Sequence, residues 1–223
     1  MRGCLNLIKT FFVNKDLLFD ILEIFSPAIP LVTIAIKGFK KSTWLILLIF
    51  YLVIYLILSA YAASLRPKNN IVVYIIISLF TFCFFALILE QFIRQKKFKI
   101  INRTVMIIAV LFLIINAIWG EGLLIFNSYS SGLTNFILVS YCVYYYKLQL
   151  ENSRIFFVEK QPSFWIVSGI FIYCAGNFFL FSMFNSLSRN NLVFAFYAWN
   201  INDFLILVMN IAFAKGIQCN LKT

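Results

Sequence analysis

The residues best able to do chemistry in this chain are a few acids and amides set inside long apolar runs. The densest group is Trp199-Asn200-Ile201-Asn202-Asp203, with Asn210 two turns further on. On a helix, spacings of three and seven bring Asn200, Asp203 and Asn210 to one face. Asp203 falls at the middle of the apolar run 192–214, and of the 19 lysines and arginines only Lys147, near the end of the run 132–150, lies inside such a run. A carboxylate there either keeps its proton or meets a cation, a polar ligand or water. Two roles stay open: a protonated Asp203 that bonds a neighbouring helix, and an ionising one that serves a ligand or a proton.

A second acidic patch is Asp20, Glu23, Pro27 and Pro30, again on one face. The prolines lack backbone N–H groups and should loosen or kink their helix, leaving carbonyls beside the acids. That chemistry suits a cation or an amine. Asp20 reads as a wet helix end near the headgroups, and Glu23, deeper in the run, is the stronger candidate. Gly169, Tyr173 and Gly176 share a face with Asn177 beside them, a pattern for close helix packing with an amide bonding across. Glu90 precedes Arg94 by four residues, a spacing that permits a surface ion pair.

Histidine is absent. Without it there is no Ser-His-Asp or Cys-His arrangement, no histidine metal site and no phospho-accepting histidine. No Gly-rich phosphate loop is present. Of the five cysteines, Cys83, Cys142 and Cys174 lie in apolar runs and Cys4 and Cys219 near the termini, a scatter that favours packing over disulfides or a metal. No metal, cofactor or enzymatic activity is expected.

The elements that must position these residues follow from composition. Of 223 residues, 63% are hydrophobic and 12% charged, against about 25% charged in a soluble domain. With a mean hydropathy of +0.94, bilayer hydrocarbon is the solvent that fits, and in it the backbone must be helical. The 27 phenylalanines add apolar area, and the 11 tyrosines add polar tips suited to an interface. The expected fold is all-α, a single polytopic domain of seven transmembrane helices at about 17–36, 44–63, 71–93, 104–119, 132–150, 164–184 and 192–214. The first and fifth carry polar residues and should lean on the rest of the bundle. Residues 5–13 read as an interfacial segment rather than a cleavable signal. The connections are too short to house a domain, and 120–131 holds apolar residues that could fold back as a cap.

Orientation follows from lysine and arginine. One set of connections holds thirteen and the other six. The richer side is expected in the cytoplasm, with the N-terminus outside and the C-terminus inside. The net charge of +11 is clustered between apolar runs, so anionic lipid headgroups rather than nucleic acid are its expected partner. Lys40 and Lys41, and Arg94, Lys96, Lys97 and Lys99, are the basic surfaces where a protein partner would dock.

Seven spans with the N-terminus outside invite comparison with rhodopsins. Yet Asp203 and Leu207 stand where a retinal lysine would, and Lys215 is at the cytoplasmic edge, so no retinal is expected. Ser26-Pro27-Ala28-Ile29-Pro30 followed by Lys40-Lys41-Ser42-Thr43 resembles the first helix of SWEET-type sugar transporters, without a repeat before the sixth span. Residues 120–215 resemble a group of uncharacterised bacterial heptahelical membrane proteins, often encoded beside two-component sensor kinases. The likeness rests on Phe126-Asn127-Ser128-Tyr129-Ser130, on Phe164-Trp165 leading to Ser168-Gly169 and Tyr173, on Gly176 with Phe178-Phe179-Leu180-Phe181, and on Asn210-Ile211-Ala212-Phe213. It implies a sensory or accessory role in a bacterial cytoplasmic membrane.

Two functions are therefore expected of this sequence. The first is a sensor or receptor-like accessory subunit that binds a small ligand or senses the membrane and signals through a partner such as a sensor kinase. The second is a small-solute or proton-coupled transporter with Asp203 at its midplane site.

Overall fold

The computed structural model describes residues 21–38, 42–65, 70–122, 126–151, 158–185 and 192–220. The expected interfacial segment 5–13, Asp20, Lys40, Lys41 and residues 123–125 of the cap lie outside them. The described residues are mostly helical, with seven α-helices of ten residues or more: α1 Ala28–Lys37, α2 Thr43–Ser64, α3 Ile71–Ile93, α4 Lys96–Ile115, α5 Ser128–Glu151, α6 Pro162–Ser182 and α7 Leu192–Asn220. Among the described residues five stretches are long and apolar enough to cross a membrane: Thr43–Ser64, Ile71–Ile93, Lys96–Gly120, Pro162–Ser182 and Tyr197–Cys219. The first helix and α5, the two marked by their polar residues, are not among them.

Chain neighbours pack side by side, α2 on α3, α5 on α6 and α6 on α7, and α1 lies along α7. Helix α3 reaches α5 and α6 directly, so α4 is left outside, against α3 and α5. Its inward stripe is only Phe98, Asn102, Ala109 and Leu113. Ile100, Ile107, Ile108, Leu111 and Ile115 point outward and are exposed. A stripe that narrow on so apolar a helix is at odds with water and at ease with lipid.

Before α1, residues 21–25 are already helical, and Ser26 and Pro27 form a turn. The prolines explain the break. In a regular helix the Glu23 carbonyl would accept from residue 27 and the Ser26 carbonyl from residue 30, both prolines without an N–H. Instead the Ser26 hydroxyl donates to the Glu23 carbonyl at 3.4 Å, and Ile29 N–H donates to the Ser26 carbonyl at 3.1 Å.

Several helix ends differ from expectation, each for a packing reason. Helix α4 begins at Lys96, eight residues before 104, so Arg94–Arg103 is not a loop. Its first turns are anchored inward by Phe98, set against Tyr141 and Tyr144 with ring centroids 4.9 and 5.8 Å away. The turn between α3 and α4 is only Arg94 and Gln95, with Arg94 in the left-handed region at φ 54°. Arg94 does not pair with Glu90, which is buried rather than at the surface. Glu90 accepts from Asn102 Nδ2 at 3.0 Å and Arg103 at 3.3 Å, and has Lys99 Nζ at 3.9 Å. Arg94 folds onto the Gln91 carbonyl at 3.3 Å.

Helix α7 runs six residues past 214, because Gly216 and Ile217 pack into the bundle, Gly216 directly against α6 near Pro162 and Ile166. Its midpoint is Ile206, so Asp203 sits three residues, about 4.5 Å of rise, from the centre toward the N-terminal end.

Contacts between helix ends show how the bundle is ordered. Trp44 meets Phe92, Tyr144 Oη donates to Gln95 at 2.7 Å, Tyr145 Oη donates to Ser163 at 2.8 Å, and Lys215 Nζ stands 6.0 Å from the Trp165 ring. These gather the starts of α2, α4 and α6 and the ends of α3, α5 and α7 at one end. The described lysines and arginines lie there: Arg94 to Arg103 on the α3–α4 turn and the start of α4, Lys147, Lys160 and Lys215, with Lys37 closing α1 six residues before α2 begins.

Candidate functional site

At the other end of the bundle the helices part around a cavity walled by α2, α3, α5, α6, α7 and the segment before α1. About 60 Å³ of it is open to the centres of water-sized molecules, room for several waters or one compact ligand. One wall is polar, with Glu23, Tyr55, Thr134, Asn135, Tyr173 and Asn202. The other is aromatic, with Tyr74, Phe126, Phe181 and Trp199.

Glu23 faces the cavity because the Ser26–Pro27 turn holds its short helix against α2 and α7. Glu23 is buried, and Tyr55 Oη donates to its Oε1 at 3.3 Å. Below it, Asn210 Nδ2 donates to the Ser26 hydroxyl at 2.9 Å. That hydroxyl therefore joins α7 to the Glu23 carbonyl, and the broken segment is tied to the bundle through the groups its prolines left free. Tyr173 of α6 lies within electrostatic range of both Glu23 and Asp203.

The polar residues of α5 are largely satisfied within their own helix. Thr134 Oγ1 donates to the Ser130 carbonyl at 2.9 Å and Asn135 Nδ2 to the Ser131 carbonyl at 2.8 Å. The single Thr134 O–H is thereby used, while Asn135 keeps one N–H and its carbonyl oxygen.

The aromatic wall is a small cluster of its own. Phe126 sits 4.7 Å from Phe181 and 5.6 Å from Trp199, and Trp199 sits 5.0 Å from Tyr74. Phe126 belongs to the connection expected to cap the bundle, and its position against α6 and α7 is that of a cap. Glu121 fixes the connection. Its carboxylate accepts from Asn116 Nδ2 at 2.8 Å, from the Ser128 and Tyr129 backbone N–H groups at 3.1 and 3.2 Å, and from Asn185 Nδ2 at 2.6 Å. Two of these donors are orphan amides at the start of α5, where a negative charge is favourable.

The structure divides the residues singled out by sequence. Glu23 lines the cavity. Asp203 is buried but stands behind Asn202, whose Nδ2 donates to Asp203 Oδ1 at 3.2 Å. Asn210 is buried further along α7 on Ser26 and not beside Asp203. Asn200 is only half-buried. Asn177 is fully buried, and neither of its amide atoms has a hydrogen-bond partner among the described residues. Arg94, Lys96, Lys97 and Lys99 are exposed at the opposite end. Sequence reasoning missed Asn202, Tyr55, Tyr74 and Glu121. The first was one residue off the face being traced, and the tyrosines passed as interface residues. Among the described residues no three His, Cys, Asp or Glu side chains gather to hold a metal. The walls can instead hold a small molecule by an acid, phenols, amides and ring faces.

Compared with family models, with curated proteins and with solved structures, the chain matches none.

Proposed function

We propose that the chain is a membrane-embedded, receptor-like subunit that binds a small ligand in this cavity and signals through a partner at the basic end. The observation that carries the reading is the cavity itself, where five helices and the Glu23 segment converge on one buried space with a polar and an aromatic wall. Concave sites between the helices of a bundle, mostly apolar with a few placed polar groups, are where ligands bind. Occupancy there would bear on Glu23, Tyr173 and Asn202 at once, and so on the packing of the first segment, α6 and α7.

The basic end supports the partner. Lys96 and Lys97 occupy the first turn of α4, where cations oppose the helix dipole by about 0.3–1 kcal/mol each. A basic pair set against the dipole suits an acidic protein surface or anionic headgroups as what it meets. Seven spans, with the N-terminus outside and the C-terminus in the cytoplasm of a bacterial cell, belong to the same proposal. The thirteen-to-six charge asymmetry and the gathering of the described basic residues at one end support it.

Transport is the second reading, favoured by the proline break beside Glu23, since interrupted helices often frame transporter sites. Isolation in mild detergent and reconstitution in proteoliposomes separate the two. A receptor-like subunit retains a signalling partner, loses it on Lys96→Glu with Lys97→Glu, and moves neither protons nor labelled solutes. Flux that stops on Asp203→Asn would overturn the first reading in favour of the second.

A further inference from the structure

We infer that the cavity takes a small organic cation, an alkylammonium head of about four or five heavy atoms. This rests on the cavity being a ligand site and adds the class of ligand. The first observation is the aromatic wall. Tyr74, Phe126, Phe181 and Trp199 all line the space, packed against one another at 4.7 to 5.6 Å. Rings fixed in this way hold their negatively polarised faces in set directions, and a cation over such a face is attracted most strongly when desolvated. The second observation is the acid. Glu23 lines the same cavity, accepts from the Tyr55 phenol and lies within electrostatic range of Tyr173. An acid and a set of aromatic rings in one cavity complement an alkylated ammonium, whose charge is spread over apolar methyl groups. An anion would meet the Glu23 carboxylate and the π faces with the wrong sign, and a purely apolar ligand would leave the polar wall unsatisfied.

Tetramethylammonium and tert-butanol are the probes, since both are compact tetrahedral groups of five heavy atoms and only one is charged. The full chain in detergent is titrated with each while its thermal unfolding is followed. The expected result is saturable stabilisation by tetramethylammonium, none at the same concentration by tert-butanol, and binding weakened about tenfold or more by Glu23→Gln. Glu23→Asp, which keeps the charge, should recover part of the loss even if Glu23→Gln folds poorly. Equal responses to the two probes, or tetramethylammonium binding that survives Glu23→Gln unchanged, would overturn the cation.

Ser131→Cys in a chain otherwise stripped of cysteine separates this failure from failure of the site. Cationic and anionic methanethiosulfonate reagents are applied with and without tetramethylammonium. Faster reaction with the cationic reagent, slowed by tetramethylammonium, supports the proposal. Equal reaction with both leaves a ligand cavity and removes the cation. No reaction with either, together with no response to either probe, removes the cavity as a site and the cation with it.

Discussion

Asp203 and Glu23 show how differently two buried acids can be placed. Glu23 reaches the cavity because a proline turn swings its backbone toward α2. Asp203 does not line the cavity and accepts from the amide of Asn202, which does. Asp203→Asn preserves the shape and an acceptor oxygen for Asn202, so the variant should lose less stability than Asp203→Leu. Asp203→Leu leaves the Asn202 donor without that acceptor and should cost about 1–3 kcal/mol. Thermal unfolding in detergent reads both, and equal stability of the parent and Asp203→Leu would show that the bond carries no weight. A carboxyl infrared band lost in Asp203→Asn, and unmoved in the parent by pH or by tetramethylammonium, would assign Asp203 to packing alone.

At the scale of elements, the α6–α7 contact is set by glycines. A Cβ at Gly169 would stand 3.1 Å from the Met209 carbonyl oxygen and 3.1 Å from Ala212 Cβ, both fixed to α7. At Gly176 it would meet the end of the Leu205 side chain, which can turn away. Gly169→Ala should therefore force the helices apart and cost about 1–3 kcal/mol, while Gly176→Ala should cost less. Reversal of that order in thermal unfolding would mean that α7 shifts more freely than Leu205 does. The α3–α4 hairpin depends on Glu90 in the same way. Glu90→Leu strips Asn102 and Arg103 of their shared acceptor and should destabilise by about 1–3 kcal/mol, whereas Arg94→Gly should be neutral or stabilising by up to about 1 kcal/mol, because Arg94 holds a left-handed φ. Should Arg94→Gly destabilise instead, the Arg94 contact with the Gln91 carbonyl outweighs that relief.

For the whole molecule the decisive measurement is sidedness. Lys97 and Tyr129 are both exposed and lie at opposite ends of the bundle, whereas Asn127, near Tyr129, is buried. Single cysteines at Lys97 and Tyr129, in a chain otherwise without cysteine, should react with impermeant reagents from opposite faces of the membrane, that at Tyr129 from outside. Reaction of both from one face would break the alternation of spans. In the proposed orientation the cavity faces outside and the basic surface the cytoplasm, and reaction of the Tyr129 cysteine from outside is what that orientation requires.

The bilayer solvent, the helical form, five apolar spans and the break at Pro27 were legible in the sequence because each is a local matter. Hydrocarbon thickness sets length, composition sets solvent, and a proline removes a known donor from a known carbonyl. That Glu23 stands beside that break was legible for the same reason. Helix ends were less so. Helix α4 starts at Lys96 because Phe98 and Asn102 find partners on α5 and α3, and α7 continues to Asn220 because Gly216 seats on α6. The site belongs to tertiary structure alone. Helical periodicity gives the face of one helix but not the rotation of its neighbours, and that rotation puts Asn202 rather than Asn200 at the cavity. Long-range bonds such as Asn210 to Ser26, or Glu121 to Asn185, join residues whose separation in the chain carries no signal of their contact.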